Sequence, residues 1–379
     1  MTLSPSFRRR VAPRKYRPIP SVEILVFFFL VVQYCFFSWR NLSLPAKVDL
    51  DSNRCDLALT EASSNGHYKV YQSRSLPCDS HGEKDWKHLQ NEPSNTGLMY
   101  MNLIHSDDDI VASVALQIAQ PPSCSVRVGP VSKTAHMMKF GERNNQTSFL
   151  FSFLRSPTER AIRDFFHHMV TMRRYEPSDH VFQAYLEERG YSNRNLQELA
   201  LQEYYPGDGG NEEAVVESIV QGYDFLGISE RRDESLVVLK LLLGLNMTQI
   251  LYLQNPTPFV YEDTSCFLIA QPFVSPDMRA YLSESAWQDR TKGDMLLYQT
   301  ANRSLDKTIE HLGRAVVEKE LQDFRLALQY TKEVCVDKVA FLCNYNGIWQ
   351  RGVHKCMHER YGCASRCLNS KEIVERVDK

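Results

Sequence analysis

Five consecutive residues, Arg155-Ser156-Pro157-Thr158-Glu159, lie between an apolar run and the start of a helical pattern, where a chain can bind a phosphate. A guanidinium leaving the carboxyl end of a strand, beside the free N–H groups of a helix start, presents forked donors and a favourable dipole to an anion. Ser156 is the expected cap, Pro157 suits the first helical position, and Glu159 completes a capping box. Arg163 follows two turns later as a second cation. The same S-P-T-E start also marks an ordinary capped helix, with Arg160 and Arg163 at i, i+3 on a solvated face. Three groups could act as general base: His136 and His105, since imidazole suits general-base work, and Glu230 near a strand end, where a structural role fits equally well. Asp107-Asp108-Asp109 satisfies the D-x-D pattern of metal-dependent nucleotide-sugar enzymes literally.

The elements that must position these residues are legible from apolar patterning. Runs of strand length alternate with helical periodicity after Gly97, which predicts an α/β fold with a mostly parallel sheet flanked by helices. Leu98–Ile104, Ser148–Leu154, Tyr223–Ser229 and Gln249–Gln254 are the expected strands, with Ser148–Leu154 apolar nearly throughout, as for a strand buried on both faces. Helices are expected over 109–120, from Pro157 onward, over Glu234–Leu245, and as one long helix over 292–330. In the last, Leu305, Ile309, Leu312 and Val316 trace one apolar stripe.

Phe153 to Phe166 (FLRSPTERAIRDFF) resembles the 3′-phosphate-binding segment of Golgi carbohydrate sulfotransferases, a strand followed by R-x-P-x-x-R-x-x-S and an aromatic-rich helix. Tyr223 to Leu239 (YDFLGISERRDESLVVL) is similar to a longer segment of galactose 3-O-sulfotransferase-like proteins, and Asp294-x-x-Leu297-Tyr298 also follows that family. The resemblance covers roughly residues 97 to 330 and implies a P-loop-like sheet that binds 3′-phosphoadenosine 5′-phosphosulfate. It assigns Arg155, and Arg163 at the family's Ser position, to the 3′-phosphate, and implies transfer of a sulfuryl group to a glycan or glycolipid hydroxyl. Two parts of the family pattern differ here. Where the family has a K-T-G-like loop, residues 103–109 read LIHSDDD without a lysine, and Lys133-Thr134 lies some 30 residues later. Where heparan-sulfate 2-O-sulfotransferases carry H-G-H-x-S, the chain reads Val128-Gly-Pro-Val-Ser132, leaving His136 or His105 as substitutes for the base. Two alternatives follow: a catalytically impaired relative acting as a lumenal glycan-binding protein, and a D-x-D glycosyltransferase.

The first 20 residues carry six cations and no acid, followed by the charge-free Ile24–Trp39. Basic residues before an apolar segment keep the N-terminus cytosolic, so the expectation is a single-pass type II protein of the Golgi membrane. Its expected parts are a basic tail over 1–21, a transmembrane signal anchor over 22–39, a polar lumenal stem over 40–96, a sulfotransferase-like domain over 97–334 and a Cys-rich C-terminal subdomain over 335–379. The net charge of −2 leaves about −8 beyond the tail, which gives a nucleic-acid partner no support. Sequons at Asn41, Asn145, Asn246 and Asn302 suit a lumenal glycoprotein. Beyond the anchor lie Cys55, Cys78, Cys124, Cys266, Cys335, Cys343, Cys356, Cys363 and Cys367, an odd number that leaves one thiol free or available to link a homodimer. Cys55 and Cys78 could close a loop in the stem. Five cysteines between 335 and 367 read as a disulfide-stapled subdomain. Zinc held by His354 or His358 with Cys363 and Cys367 fits no standard ligand spacing, so no metal is expected.

Overall fold

The computed structural model describes residues 68–77, 96–103, 108–119, 126–129, 133–189, 191–205, 211–253, 259–262, 265–339, 341, 343–344, 346–350 and 364–378. The tail, the anchor and Asn41 lie outside these residues, as do Cys55, Cys78, His105, Asp107, Cys124, Cys356 and Cys363. Among the described residues no helix is long and apolar enough to cross a membrane.

The chain is an α/β protein built on a four-stranded parallel sheet of order β2-β1-β3-β4, with helices packed against it. The strands are β1 (Gly97–Met101), β2 (Val126–Gly129), β3 (Ser148–Leu154) and β4 (Phe225–Ile228). All seven residues of β3 are buried, as its two apolar faces require. Its two serines are satisfied: Ser152 donates to the Met101 carbonyl at 2.7 Å and Ser148 to the Asn144 carbonyl at 2.6 Å. At the amino edge the Asp224 carboxylate accepts the Leu150 N–H at 2.8 Å and pairs with Arg74 and Arg143, each at 2.7 Å, pinning the start of β4 to β3.

Helix α1 (Asp108–Ile118) follows β1, and α2 (Pro157–Phe165) follows β3 and continues as a π-helical segment over Phe166–Met172. Helices α3 (Asp179–Glu188), α4 (Arg194–Leu199) and α5 (Glu212–Gly222) lead to β4, and α6 (Arg232–Leu243) leaves it. The antiparallel hairpin β5 (Phe259–Glu262) and β6 (Ser265–Leu268) precedes α7 (Pro276–Ser283), α8 (Ser285–Arg290), α9 (Lys292–Leu312) and α10 (Arg314–Cys335), and the chain ends in α11 (Ser365–Leu368) and α12 (Lys371–Val377). Two apolar clusters result. One is the sheet with its covering helices; the other gathers Phe165, Phe166, Phe182, Tyr281 and Trp287 from α2, the π-helical segment, α3, α7 and α8.

Three expectations are corrected. Of the strand expected over 249–254, residues 249–253 form none, residue 254 lying outside the described residues: Asn246 and Gln249 make a reciprocal capping box that folds Met247–Ile250 into a 3₁₀ turn, and Leu251–Leu253 continue without strand pairing. The long helix breaks at Gly313, whose φ of 93° is open to glycine but costly for residues with a Cβ. The stripe therefore ends at the break, with Leu305 and Ile309 buried but Val316 50% exposed. Residues 68–77, expected in the stem, pack on the domain, where the backbone N–H groups of Lys69 and Tyr71 donate to Ser304 Oγ and Thr308 Oγ1 at 3.0 Å each. The match is geometric: two residues of extended chain rise about 6.6 Å and four residues of helix about 6 Å. Of the cysteines expected to staple the C-terminal segment, Cys356 and Cys363 lie outside the described residues. Cys335 bonds Cys367 within the segment, Cys343 bonds Cys266 on β6, and Asp378 accepts from Thr248 N and Oγ1 at 3.0 and 2.6 Å.

Candidate functional site

In the order β2-β1-β3-β4 the chain leaves β1 toward β2 and then crosses to the other side of β1 to form β3. A sheet whose strand order reverses in this way opens a crevice outside the carboxyl ends of the two central strands. The first wall of that crevice is the segment after β1, of which residues 104–107 lie outside the described residues. The second is the turn after β3, which begins with Arg155.

Arg155 follows Leu154 directly and is only 5% exposed, so the turn holds this cation against the sheet mouth instead of in bulk solvent. Leu154 pairs with Ile228, which sets Arg155 beside Ser229 at the exits of two neighbouring parallel strands. The chains stay together past that point. Glu230, in the 3₁₀ turn Ser229–Arg231, accepts the Ser156 N–H through Oε1 at 2.9 Å and the Tyr298 hydroxyl of α9 through Oε2 at 3.2 Å. Burial and the Glu230 carboxylate together push the Tyr298 phenol well above its ordinary pKa, so it stays a donor; Arg231 and Arg155 nearby oppose the shift. Arg231 turns away, its Nε on Glu234 at 2.6 Å and its Nη1 on Asp306 at 2.8 Å and Asn302 at 2.7 Å.

The capping expectation changes accordingly. Pro157 does occupy the first turn of α2, but the Ser156 side chain makes no capping bond, and the N–H that Glu159 was expected to take is taken by Glu230, 74 residues away. Glu230 therefore has a positioning contact at the sheet edge. Two buried polar atoms at the same edge have no hydrogen-bond partner: Asn102 Oδ1, one residue past β1, and Ser229 Oγ, one residue past β4.

The remaining expected residues are dispersed. Arg163 is exposed on α2, six residues and so about 9 Å of helical rise beyond Pro157. His136 and Lys133 are exposed in the turn that follows β2, which is held by the Ala135 N–H donating to the Glu198 carbonyl at 2.8 Å. Asn145 and its Thr147 are exposed. Thr248 of the Asn246 sequon is buried and bonded to Asp378, and Asn302 sits within α9 with Oδ1 on Arg231.

Arg160 is the residue that sequence position misplaced. It is 1% exposed and lies bidentate on Glu198 at 2.7 Å to each oxygen, with a further bond to Asn195 Oδ1. Beside it the Asp294 carboxylate accepts the Leu196 and Asn195 N–H groups at 2.8 and 2.9 Å and so caps α4. Burial pushes the Asp294 carboxyl up to about 6 against the pull of those amides. Next along α2, buried Asp164 accepts the Tyr185 hydroxyl at 2.8 Å and has His168 Nε2 at 3.3 Å, a contact made by the π-helical segment. Apart from Asp164–His168, four residues apart, these contacts join residues 21 or more positions apart, and the sequence reading anticipated none of them.

A separate cleft, about 770 Å³, lies between the C-terminal end of α6, α10 and α12. Glu320, Asp323, Glu333 and Asp378 outnumber Lys240 and Arg376 on its walls, an unfavourable setting for an anion. Among the described residues no group of three His, Cys, Asp or Glu side chains could hold a metal ion. Comparison of the chain with protein-family models, with curated proteins and with solved structures gave no match.

Proposed function

We propose that this chain is a Golgi membrane sulfotransferase of type II topology, using its sheet as a P-loop-like nucleotide site for 3′-phosphoadenosine 5′-phosphosulfate. The observation that carries the reading is the placement of Arg155: a buried guanidinium at the carboxyl edge of a parallel sheet, beside the strand-order reversal and the start of α2. A fixed cation there suits the ribose 3′-phosphate, because Arg presents parallel donors to phosphate oxygens. The resemblance of Phe153–Phe166 and Tyr223–Leu239 to carbohydrate sulfotransferases supplies the reaction class.

In that reaction the acceptor hydroxyl oxygen attacks sulfur, the bond from sulfur to the bridging phosphate oxygen breaks, and adenosine 3′,5′-bisphosphate leaves with the electron pair. The acceptor's proton passes to a base, for which His136, His105 and Glu230 are the residues to test. The acceptor is a glycan or glycolipid hydroxyl. Titration of the full chain in detergent with adenosine 3′,5′-bisphosphate tests the reading, with heat of binding that disappears in Arg155→Ala as the expected result. A folded chain that takes up no nucleotide removes the proposal. The absence of lysine from residues 103–109 favours a second reading, a relative that binds glycans without transferring sulfate. Glycan binding without sulfate incorporation from labelled donor separates it from the first.

A further inference from the structure

Ser229 is 7% exposed, and its Oγ is buried without a hydrogen-bond partner. Burying a hydroxyl that bonds to nothing costs stability, and valine or alanine would fill the place without that cost. The two serines of β3 are bonded, Ser152 to Met101 and Ser148 to Asn144, whereas Ser229, one residue past β4, is not. Leu154 pairs with Ile228, so Arg155 and Ser229 are the first residues past the ends of two neighbouring strands, whose backbones run about 4.8 Å apart. A guanidinium and a hydroxyl are both donors that phosphate oxygens accept.

One residue further on, the exposed Glu230 carboxylate holds the Ser156 N–H and the Tyr298 hydroxyl. Both are donors that a phosphate could use, and both are committed to an anion supplied by the chain itself. A carboxylate this near also repels a dianion, so ligand entry must displace it.

We propose that Ser229 is the second ligand of the phosphate monoester held by Arg155, and that Glu230 occupies the subsite's remaining donors until the ligand arrives. The proposal rests on the nucleotide reading above and deepens it, moving the second contact from the exposed Arg163 to the strand exit of β4. The ligand class is a ribose 3′-phosphate; a phosphate group lacking the nucleoside tests whether the subsite alone suffices.

The test titrates the detergent-solubilised full chain with adenosine 3′,5′-bisphosphate, adenosine 5′-monophosphate and inorganic phosphate. Ser229→Ala is expected to weaken the bisphosphate about tenfold while leaving the 5′-monophosphate unchanged, since a hydrogen bond to a charged oxygen is lost. Its thermal midpoint should not fall, because the hydroxyl bonds nothing in the free chain. Glu230→Gln should tighten the bisphosphate about fivefold by removing the competing charge, and Arg163→Ala should stay within about twofold of wild type. The inference is overturned if wild type binds the bisphosphate and Ser229→Ala binds it equally well, or if Ser229→Ala weakens both nucleotides alike. Wild type binding none of the three ligands overturns the sulfotransferase reading and this inference together.

Discussion

The Asp294 carboxylate caps a helix it does not belong to, accepting the Leu196 N–H at 2.8 Å and the Asn195 N–H at 2.9 Å from the first turn of α4. Full burial raises its pKa on folding from 3.8 to about 6. Between those values the folded chain binds a proton that the unfolded chain does not, so stability from this group falls as pH rises from about 4 to about 6 and then levels. A shift of this size corresponds to about 3 kcal/mol. Urea unfolding of wild type and Asp294→Asn at pH 4, 5, 6 and 7 should show the wild-type advantage shrinking across that range. Parallel curves for the two proteins would show that the carboxyl is not buried as described.

Arg160 and Glu198 form a second buried contact between α2 and α4, and its loss should be severe in one direction only. Arg160→Met removes the more buried of the two cations on Glu198, which is 12% exposed and keeps Arg194 Nε at 3.0 Å, at a cost of about 3 kcal/mol. The double variant Arg160→Met, Glu198→Met should recover much of that loss, since paired removal leaves no isolated charge. Chemical denaturation of the two variants decides it; equal instability of single and double variants would point to shape, not charge.

How far the sequence could be read depends on the length scale of each contact. Ser148–Leu154 was legible to the residue because a strand buried on both faces writes itself as an unbroken apolar run. β2 left no such trace: Val-Arg-Val-Gly is four residues at the sheet edge, half-buried and carrying an arginine. Gln249–Leu253 looked like a strand because apolar content does not distinguish a strand from a capped turn packing Ile250 and Leu251 into the core. At the site, Arg155 was found from its neighbours in sequence, whereas the bond from the Ser156 N–H to Glu230 spans 74 residues and leaves no local trace. Arg160 reads as a surface residue until α4 is packed beside α2.

The sequons differ in a way that a secretory expression host can read. Asn145 is exposed with an exposed Thr147, whereas Asn302 lies within α9, its Oδ1 bonded to Arg231 at 2.7 Å and its Ser304 fully buried. Asn145→Gln should remove one glycan, seen as a mobility shift sensitive to endoglycosidase, while Asn302→Gln should give no shift. A glycan found on Asn302 would require α9 to be separated from the 3₁₀ turn that carries Arg231.

Gly227 links the packing of the sheet to the site above it. It pairs with Phe153, and a Cβ placed there would come within 2.8 Å of the Phe153 ring, closer than any side chain tolerates. The ring is itself fully buried and stacks edge-on against Phe225, so it has no free volume to enter. Gly227→Ala must therefore spread β4 from β3 at their carboxyl ends, at a cost of about 1–3 kcal/mol. Arg155 and Ser229 lie two residues beyond this contact on each strand, and a ligand bridging them depends on the spacing that the glycine permits. The variant should consequently lose bisphosphate affinity in proportion greater than its loss of stability, measured by titration at a temperature where it remains folded. Phe153→Leu in the Gly227→Ala background, by relieving the overlap, should restore both the stability and the affinity, whereas recovery of stability alone would disconnect the strand spacing from the site.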